Sequence, residues 1–523
     1  ERKSVMEGVI SFHDGRMCFI IRVSRQRKVK HVDTVPFQPD LRPALPCVFG
    51  AKDYRDFRDT LVEMDRILAE SGLEDVFVRR HLDACFEKDS ERKRLFRAKV
   101  ARKALRHAIL LAVTGLSVRE LAMRLPDSPL FAWFTGSVQI DGVRPASKST
   151  IERFEKMFPE DDVAQLIHDL NRLAMDAKAA PALLLLEKPL DVEAVFADTT
   201  CVEGNIHFPV DWVLLRDAVR TLTKAVSLIR AQGLVNRMSS PAQFMRQMNQ
   251  LCIEMTHAGR TKDARRTRKA VLRKMKKLAK VVSLHARRHR ELLVAEREKT
   301  AWSDAQARQV LGRIDNVLEQ LPAAIHQAHE RLIGERQVKN EEKILSLYEP
   351  DVRVIVRGKA GSAVEFGNGL YLAEQAQGLI VDWAFFCERP PADASLVEGS
   401  VARIAVNYAR PGAFAADRGF HSKANAAHLE AAGVFNAICP KSVRDLQKRL
   451  EDEPRFRQLQ TRRGSTEARV AILTNDYVGK PLRSKSFKNR SARVVWCILA
   501  HNLWKLAAMA VARRREVREA QAA

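Results

Sequence analysis

Apolar and polar positions change rhythm several times along the chain, and each change marks an element. Residues 5–36 alternate apolar and polar positions (Val5, Ile10, Met17, Phe19, Ile21, Val23) around His13-Asp14-Gly15. That alternation predicts a small β-hairpin ending in a basic stretch, 25–30. The Pro-rich residues 36–46 read as a linker. Over 54–180 the rhythm is helical: Leu61, Met64 and Leu68 recur at helical spacing, as do Leu105, Ile109, Ala112 and Val113, and Pro181 closes the block. A short apolar strand at 191–198 ends on Asp198, after which 212–345 revert to helix. Val271, Met275, Leu278 and Val282 form a narrow apolar stripe there, which predicts long helices packed as a hairpin. Strands return at 353–357, 363–372 and 378–387, with glycine-containing turns. A strand ending on Asp417, a helix capped by Ser422 and a strand at 434–439 follow, and helices fill most of the remainder. This order predicts a mixed α/β sheet covered by helices.

Within the first helical block, Ser117 and Glu120 have the spacing of a capping box, and Gly115 permits a turn just before it. Together they have the form of a helix–turn–helix joint. A second such pair, Ser149 with Glu152, follows a basic loop at 144–148 that carries Arg144 and Lys148. Helix pairs of this kind also occur in bundles that never touch DNA. Charge changes that balance: 89 Lys and Arg stand against 64 Asp and Glu, a formal net charge of +25 over 523 residues. Such an excess points to a polyanionic partner, nucleic acid first. Residues 260–299 concentrate it, with 16 Lys/Arg against 4 Asp/Glu, and a merely solvated face would mix both signs.

Composition also excludes classes. The hydrophobic share of 46% excludes disorder along the whole chain. Eight scattered cysteines without a Cys-x-x-Cys pair exclude a disulfide scaffold and a zinc ribbon, and point to reduced thiols in a cytosol. No apolar signal region opens the sequence. The apolar run 494–512 approaches membrane-spanning length, but His501, Asn502 and Lys505 interrupt it, so a buried helix packing on a sheet is expected.

Three acids stand out by context. Asp198 and Asp417 each end a short apolar strand, and Glu467 opens a helical stretch flanked by arginines. A single Asp at a strand end is more often a turn residue; two in matching contexts, with a helical Glu, can gather at a sheet edge. Converging carboxylates hold two divalent cations for phosphoryl transfer, and oxygen-only ligands suit Mg²⁺ or Mn²⁺ rather than zinc. Asp382, inside an apparent strand, and Asp476, nine residues beyond Glu467, compete for the same role. Gly358-Lys359-Ala360-Gly361 lacks phosphate-loop spacing and reads as a hairpin turn beside DNA. His285 and His289 have i, i+4 ligand spacing but no third ligand, and Trp133, Trp302 and Trp383 read as packing residues.

These blocks resemble a known family. Asp198-Thr-Thr-Cys-Val-Glu203-Gly-Asn-Ile-His207-Phe-Pro-Val-Asp211 resembles the first-aspartate block of DDE transposases from bacterial insertion sequences. Ser346-Leu-Tyr-Glu-Pro-Asp351 resembles the next block, Asp417-Arg-Gly-Phe-His-Ser422 the second-aspartate block, and Ser465-Thr-Glu-Ala-Arg469 the glutamate helix. The group called ISNCY, which carries a long helical insertion after its first strand, is the most similar. The resemblance covers roughly 190–220 and 340–510, and more weakly the helical N-terminal half.

The resemblance implies an RNase H-like core with Asp198, Asp417 and Glu467 as a metal-binding triad, loaded with Mg²⁺ or Mn²⁺. It implies terminal inverted repeats and target DNA as double-stranded partners, a homodimer or larger assembly on DNA, and a bacterial cytoplasm with nucleoid association. Glu203, His207 and Asp211 would serve structural or supporting roles in the first block. Arg463 falls where related enzymes contact a phosphate, while Gln460 and Thr474 replace the tyrosine and lysine of that pattern. Further DNA contacts are expected from Arg144, Lys148, Arg265, Arg266, Lys269, Arg273, Lys359, Arg418 and Arg469. The expected organisation is a hairpin and linker (1–46), a helical DNA-binding region (47–185), the first part of the core (186–220), a basic α-helical insertion (221–345) and the second part of the core with C-terminal helices (346–523). A DNA-binding regulator descended from a transposase, and an RNase H-like nuclease, remain alternatives.

Overall fold

Two units make up the chain, Glu1–Arg42 and Pro43–Ala523. The computed structural model describes residues 9–13, 16–20, 44–45, 48–139, 142–259, 263–359 and 362–522, by backbone alone at 9–13, 16–20, 357–359 and 362–363. In the first unit β1 (Val9–His13) pairs antiparallel with β2 (Arg16–Ile20), His13 opposite Arg16, as the alternation predicts. The basic stretch 25–30 and most of the linker lie outside the described residues.

The second unit opens with α1 (Lys52–Glu70), α2 (Leu73–Phe86), α3 (Glu91–Thr114), α4 (Val118–Asp127) and α5 (Pro129–Phe134). The short pair β3 (Val138–Gln139) and β4 (Gly142–Val143) leads to α6 (Lys148–Glu155), α7 (Glu160–Met175) and α8 (Ala179–Leu184). The joint between α3 and α4 forms as its sequence requires. Gly115 takes φ +60°, the Ser117 hydroxyl accepts from the Glu120 N–H at 3.2 Å, and Glu120 accepts from the Ser117 N–H at 2.8 Å. The second capping box does not form: the cap is Ser147, two residues earlier, accepting from the Thr150 N–H. Pro181 does not end the helical block but sits in the first turn of α8, where a missing N–H costs nothing.

After β5 (Ala194–Glu203) comes the insertion: α9 (Asp211–Ala231), α10 (Pro241–Ala258), α11 (Ala264–Ala295) and α12 (Asp304–Leu332). The predicted hairpin is half of it. All four helices close around one core built from Leu215, Leu222, Met248, Met275, Val282 and Ile314.

Then follow β6 (Arg353–Lys359), β7 (Ser362–Gln375), β8 (Ile380–Phe385), α13 (Val397–Asn407), β9 (Ala413–Ala416), α14 (Lys423–Ala431), β10 (Phe435–Ile438), α15 (Val443–Asp452), α16 (Pro454–Ile472) and α17 (Phe487–Ala522). The strands join β5 in a six-stranded mixed sheet of order β10-β9-β5-β7-β6, with β8 also paired to β7. β9 and β10 run parallel to β5, whereas β6 and β8 flank different stretches of the long antiparallel β7. One correction matters for the site. β5 does not stop at Asp198, because β7 keeps pairing with it as far as Glu203 opposite Gly367.

The apolar run near the C-terminus becomes the middle of α17. That helix is long and apolar enough to cross a membrane, and its apolar window is mostly buried inside the protein. It packs chiefly among α1, α3 and α7, and only marginally on the sheet.

Candidate active site

Strand register brings two of the acids together. β9 lies against β5 with Ala194 opposite Ala413 and Phe196 opposite Ala415. Carried two residues on, the same offset sets Asp198 beside Asp417, on strands about 4.8 Å apart. Regular pairing ends there because β9 gives way to a 3₁₀ turn, Arg418–Phe420. Alternation puts Asp198 on the face of Ala194 and Phe196, and Asp417 on the face of Ala413 and Ala415. That face packs on α16 through Phe456 and Leu459, while α13 and α14 cover the other. Backbone N–H groups orient both carboxylates: Thr199 donates to Asp198 and Gly419 to Asp417, each at 2.8 Å.

Glu467 comes from α16. It does not open a helix, as its flanking residues suggest, but lies deep within one that starts at Pro454. Two sets of side chains hold this helix on the sheet. Gln460 donates to the carbonyls of Ala416 (3.2 Å) and Ala437 (2.5 Å), at the ends of β9 and β10. Buried Glu374 on β7 accepts from Thr466 at 2.8 Å and from Arg462 at 3.0 Å, with Arg469 3.6 Å away. Arg462 also stacks over Phe196, 4.5 Å from the ring centre.

Burial pushes Asp198 up to about 6, and the negative charges of Asp417 and Glu467 add to the rise. The hydrogen bond from Thr199 and the charge of Arg463 oppose it. Asp198 therefore feels the charge of both other acids. Yet Glu467 is turned outward, 3.4 Å from Arg463, with its side chain 67% exposed. Among the described residues no three His, Cys, Asp or Glu side chains are arranged to hold a metal ion. The donor chemistry nevertheless fits a hard divalent cation, since all three donors are carboxylates whose mutual repulsion such an ion relieves. Completing the set requires Glu467 to leave Arg463.

A groove of about 1370 Å³ begins at Gly419, in the turn after Asp417. β6 and residues 388–393 wall one side and the end of the insertion walls the other, with Arg331, Arg336, Lys339, Lys343, Arg353 and Arg389 outnumbering the acids. Asp393 in that groove does not stand out in the sequence. Its Oδ2 lies 2.7 Å, and Asp417 Oδ1 3.0 Å, from the point a Cβ on residue 419 would occupy, so glycine there lets both carboxylates approach. Only its distance in sequence from Asp417 hides it.

The other expected residues disperse. Glu203 lies at the far end of β5 from Asp198, paired with Lys480 at 3.1 Å, and His207 is exposed in the following loop. Buried Asp211 starts α9 and binds Gln327 (2.8 Å) and Arg331 (3.0 Å) of α12, so it braces the insertion. Arg418 and Arg463 stay beside the acids, the first exposed. Arg469 is drawn inward, donating to the Gln377 carbonyl at 2.9 Å over Gly378, whose φ of +95° and missing Cβ make room for it. Arg144 and Lys148 are exposed before and at the start of α6, Lys148 pairing with Glu152 at 2.6 Å. On α11, Arg265 and Lys269 pair with Glu335, whereas Arg266 and Arg273 face solvent. Lys359 ends β6, and its side chain lies outside the described ones.

The competing candidates are occupied or unsuited. Asp382 is buried and accepts from Nε and Nη2 of Arg403, each at 2.8 Å, and Asp476 is exposed in the π-helical turn after α16. His289 is buried and bonded to the His285 carbonyl, and the three tryptophans pack against the helical cores. No family model, curated protein or solved structure matches this chain.

Proposed function

We propose that the protein is an insertion-sequence transposase of the DDE kind, with an RNase H-like core that hydrolyses and rejoins DNA at terminal inverted repeats. One observation carries this reading: Asp198, midway along β5, falls in register beside Asp417, just past the end of the adjacent parallel strand β9, on the face crossed by a helix that carries the glutamate. The strand order β8-β7-β5-β9-β10 supports the RNase H-like core, with three strands antiparallel, two parallel to the first, and a helix in each parallel crossover. The four-helix insertion between β5 and β6 supports the ISNCY-like reading.

Asp198, Asp417 and Glu467 would hold Mg²⁺ or Mn²⁺. When bound, two such ions supply the charge that activates an attacking water or 3′-hydroxyl and stabilises the leaving oxygen. The chain's own contribution is position. Thr199 and Gly419 aim the two aspartates, Gln460 and Glu374 fix the helix behind them, and Arg463 supplies positive charge beside the cluster. In the groove leading away from Asp417 four of the six cations are paired with acids, and among the described residues Lys339 and Lys343 are left without a carboxylate partner to meet a polyanion. Exposed residues of the α3–α4 joint and the loop before α6 would meet the repeats. Joining two ends calls for at least a dimer on DNA.

A second reading, DNA binding without chemistry, draws on the outward turn of Glu467 to Arg463. Cleavage and strand transfer on a labelled duplex bearing the element's terminal repeat separate the two. Wild type with Mg²⁺ or Mn²⁺ is expected to cut and join, and Asp198→Ala, Asp417→Ala and Glu467→Ala to bind but do neither. Binding without chemistry in wild type would favour the regulator, and activity surviving in Glu467→Ala would remove that residue from the triad.

A further inference from the structure

Helix α11 has two opposite faces. Val271, Leu272, Met275, Ala279, Val282 and Ala286 are buried in the insertion's core. On the far side Arg266, Arg273, Lys277, Lys280, Arg287 and Arg288 are all exposed. At 1.5 Å per residue this row is about 33 Å long. None of the six has a carboxylate partner among the described residues, although partners are found for cations elsewhere. Arg290 of the same helix pairs with Asp315, and Arg513, Arg514 and Arg515 of α17 pair with Glu516, Glu63 and Asp56. Like charges spaced three or four apart on a helix repel. A face that only needed solubility would be interspersed with acids, and Glu291 is the lone acid of α11.

A notch of about 470 Å³ opens along this row, between α11 and α12. Lys276, Lys280 and Arg287 form one wall and His326 and His329 the other, over a floor that includes Leu321, and no carboxylate lines it. The Lys276 ammonium lies 2.9 Å from a His329 ring nitrogen, a partner that brings no negative charge to cancel its own. An anion entering here meets fixed positive charge and no competing acid.

We propose that this face is a sequence-independent clamp for duplex DNA, with the backbone running along α11 and a phosphate seated between Lys276, Lys280 and Arg287. The row is about as long as one turn of duplex, roughly 34 Å. It would hold DNA away from the acids of the sheet, so its contribution is to affinity rather than to chemistry. This clamp rests on the proposed action on DNA and extends it to a surface that the triad does not need.

Fluorescence anisotropy with a labelled duplex of about two turns, over about 50 to 200 mM salt, tests it. The variant Lys276→Gln/Lys280→Gln/Arg287→Gln is expected to flatten the log–log salt slope by about 2 to 3, at about 0.9 for each phosphate no longer neutralised. Affinity should fall equally for the terminal repeat and a scrambled duplex. The equal-charge control Arg513→Gln/Arg514→Gln/Arg515→Gln should keep the wild-type slope. If the notch variant unfolds, the exposed set Arg273→Gln/Lys277→Gln/Arg288→Gln takes its place, with the same expectation. Wild-type binding with an unchanged slope in the clamp variant overturns the clamp and leaves the DNA reading standing. A wild type that binds no duplex at all overturns both.

Discussion

Asp198 carries a stability cost. Burial and two neighbouring carboxylates raise it to about 6 from its usual 3.8. Between those values the folded protein holds a proton that the unfolded chain has released, so this residue makes stability fall as pH rises through the window. Above about pH 6 the whole penalty applies, up to roughly 3 kcal/mol at 1.36 kcal/mol per pKa unit. Asp198→Asn keeps the shape and an oxygen for the Thr199 N–H but removes the charge. In metal-free buffer it should therefore melt higher than wild type at pH 7.5 and at nearly the same temperature near pH 4. Added Mg²⁺ should raise the melting temperature of wild type and shift the variant little. Equal melting of both proteins at pH 7.5 would mean that Asp198 is not crowded by charge. Arg463, one turn before Glu467, opposes the same penalty, and Glu467 leans toward it.

At the scale of elements, the site depends on how α16 is hung on the sheet. Gln460 bonds the carbonyls of Ala416, just before the Asp417 turn, and of Ala437 on the neighbouring β10, so Gln460→Ala should let the helix, and Glu467 with it, drift. Misplacement by about 1 Å is enough to cost on the order of a hundredfold in rate. Single-turnover cleavage should fall about ten- to a hundredfold while DNA affinity and melting temperature stay close to wild type. A rate unchanged by Gln460→Ala would show that the helix is held without it. Glu374→Gln is a different failure. It leaves Arg462 and Arg469 partly buried without their counter-charge, and about 3 kcal/mol of stability should go with it, read by chemical denaturation. The acids themselves are legible in the sequence, because Asp198 and Asp417 sit in short apolar strands and strand alternation is a local signal. What positions them is not. Glu374 is separated by about ninety residues from its partners on α16, and Gln460 stands out only as a departure from a family pattern. The ends of β5 and α16 escape the local pattern for a related reason: β5 is lengthened by its pairing to β7, and α16 starts at Pro454, well before the motif. Asp211, expected in a structural or supporting role, is bound by Gln327 and Arg331 across the insertion.

Across the whole molecule, the N-terminal helices and the sheet share one core rather than forming separable modules. Asn502 of α17 bonds Asn171 of α7 at 3.0 Å and the Ile380 carbonyl of β8 at 2.8 Å, and Arg493 reaches the Leu111 carbonyl of α3 at 3.0 Å. Three histidines are set into this junction. Burial drives His107 on α3, His168 on α7 and His501 on α17 down to about 4. His107 lies tilted against Phe154, His168 stacks on Trp383, and His501 meets Tyr477 edge to face, so each imidazole is kept neutral by its packing. With folded values below the usual 6.5, the unfolded chain binds protons that the folded protein refuses, so their stabilising effect is complete above about pH 6.5 and is lost as pH falls toward 4. For the deeply buried His107 and His501 the loss is about 3 kcal/mol each. Asp198 changes stability in the opposite direction over part of the same window, but it is one group against three. Net stability should therefore drop steeply on acidification from pH 6.5 to 4.5, and because the histidines sit within the shared core, with His168 of α7 against Trp383 of β8, the helical region and the sheet should unfold together. Denaturant titrations followed by near-UV and far-UV circular dichroism across that range provide the check. Coincident transitions whose midpoints fall with pH are expected, with His501→Asn less acid-sensitive than wild type; two separated transitions would show that the core is divided after all.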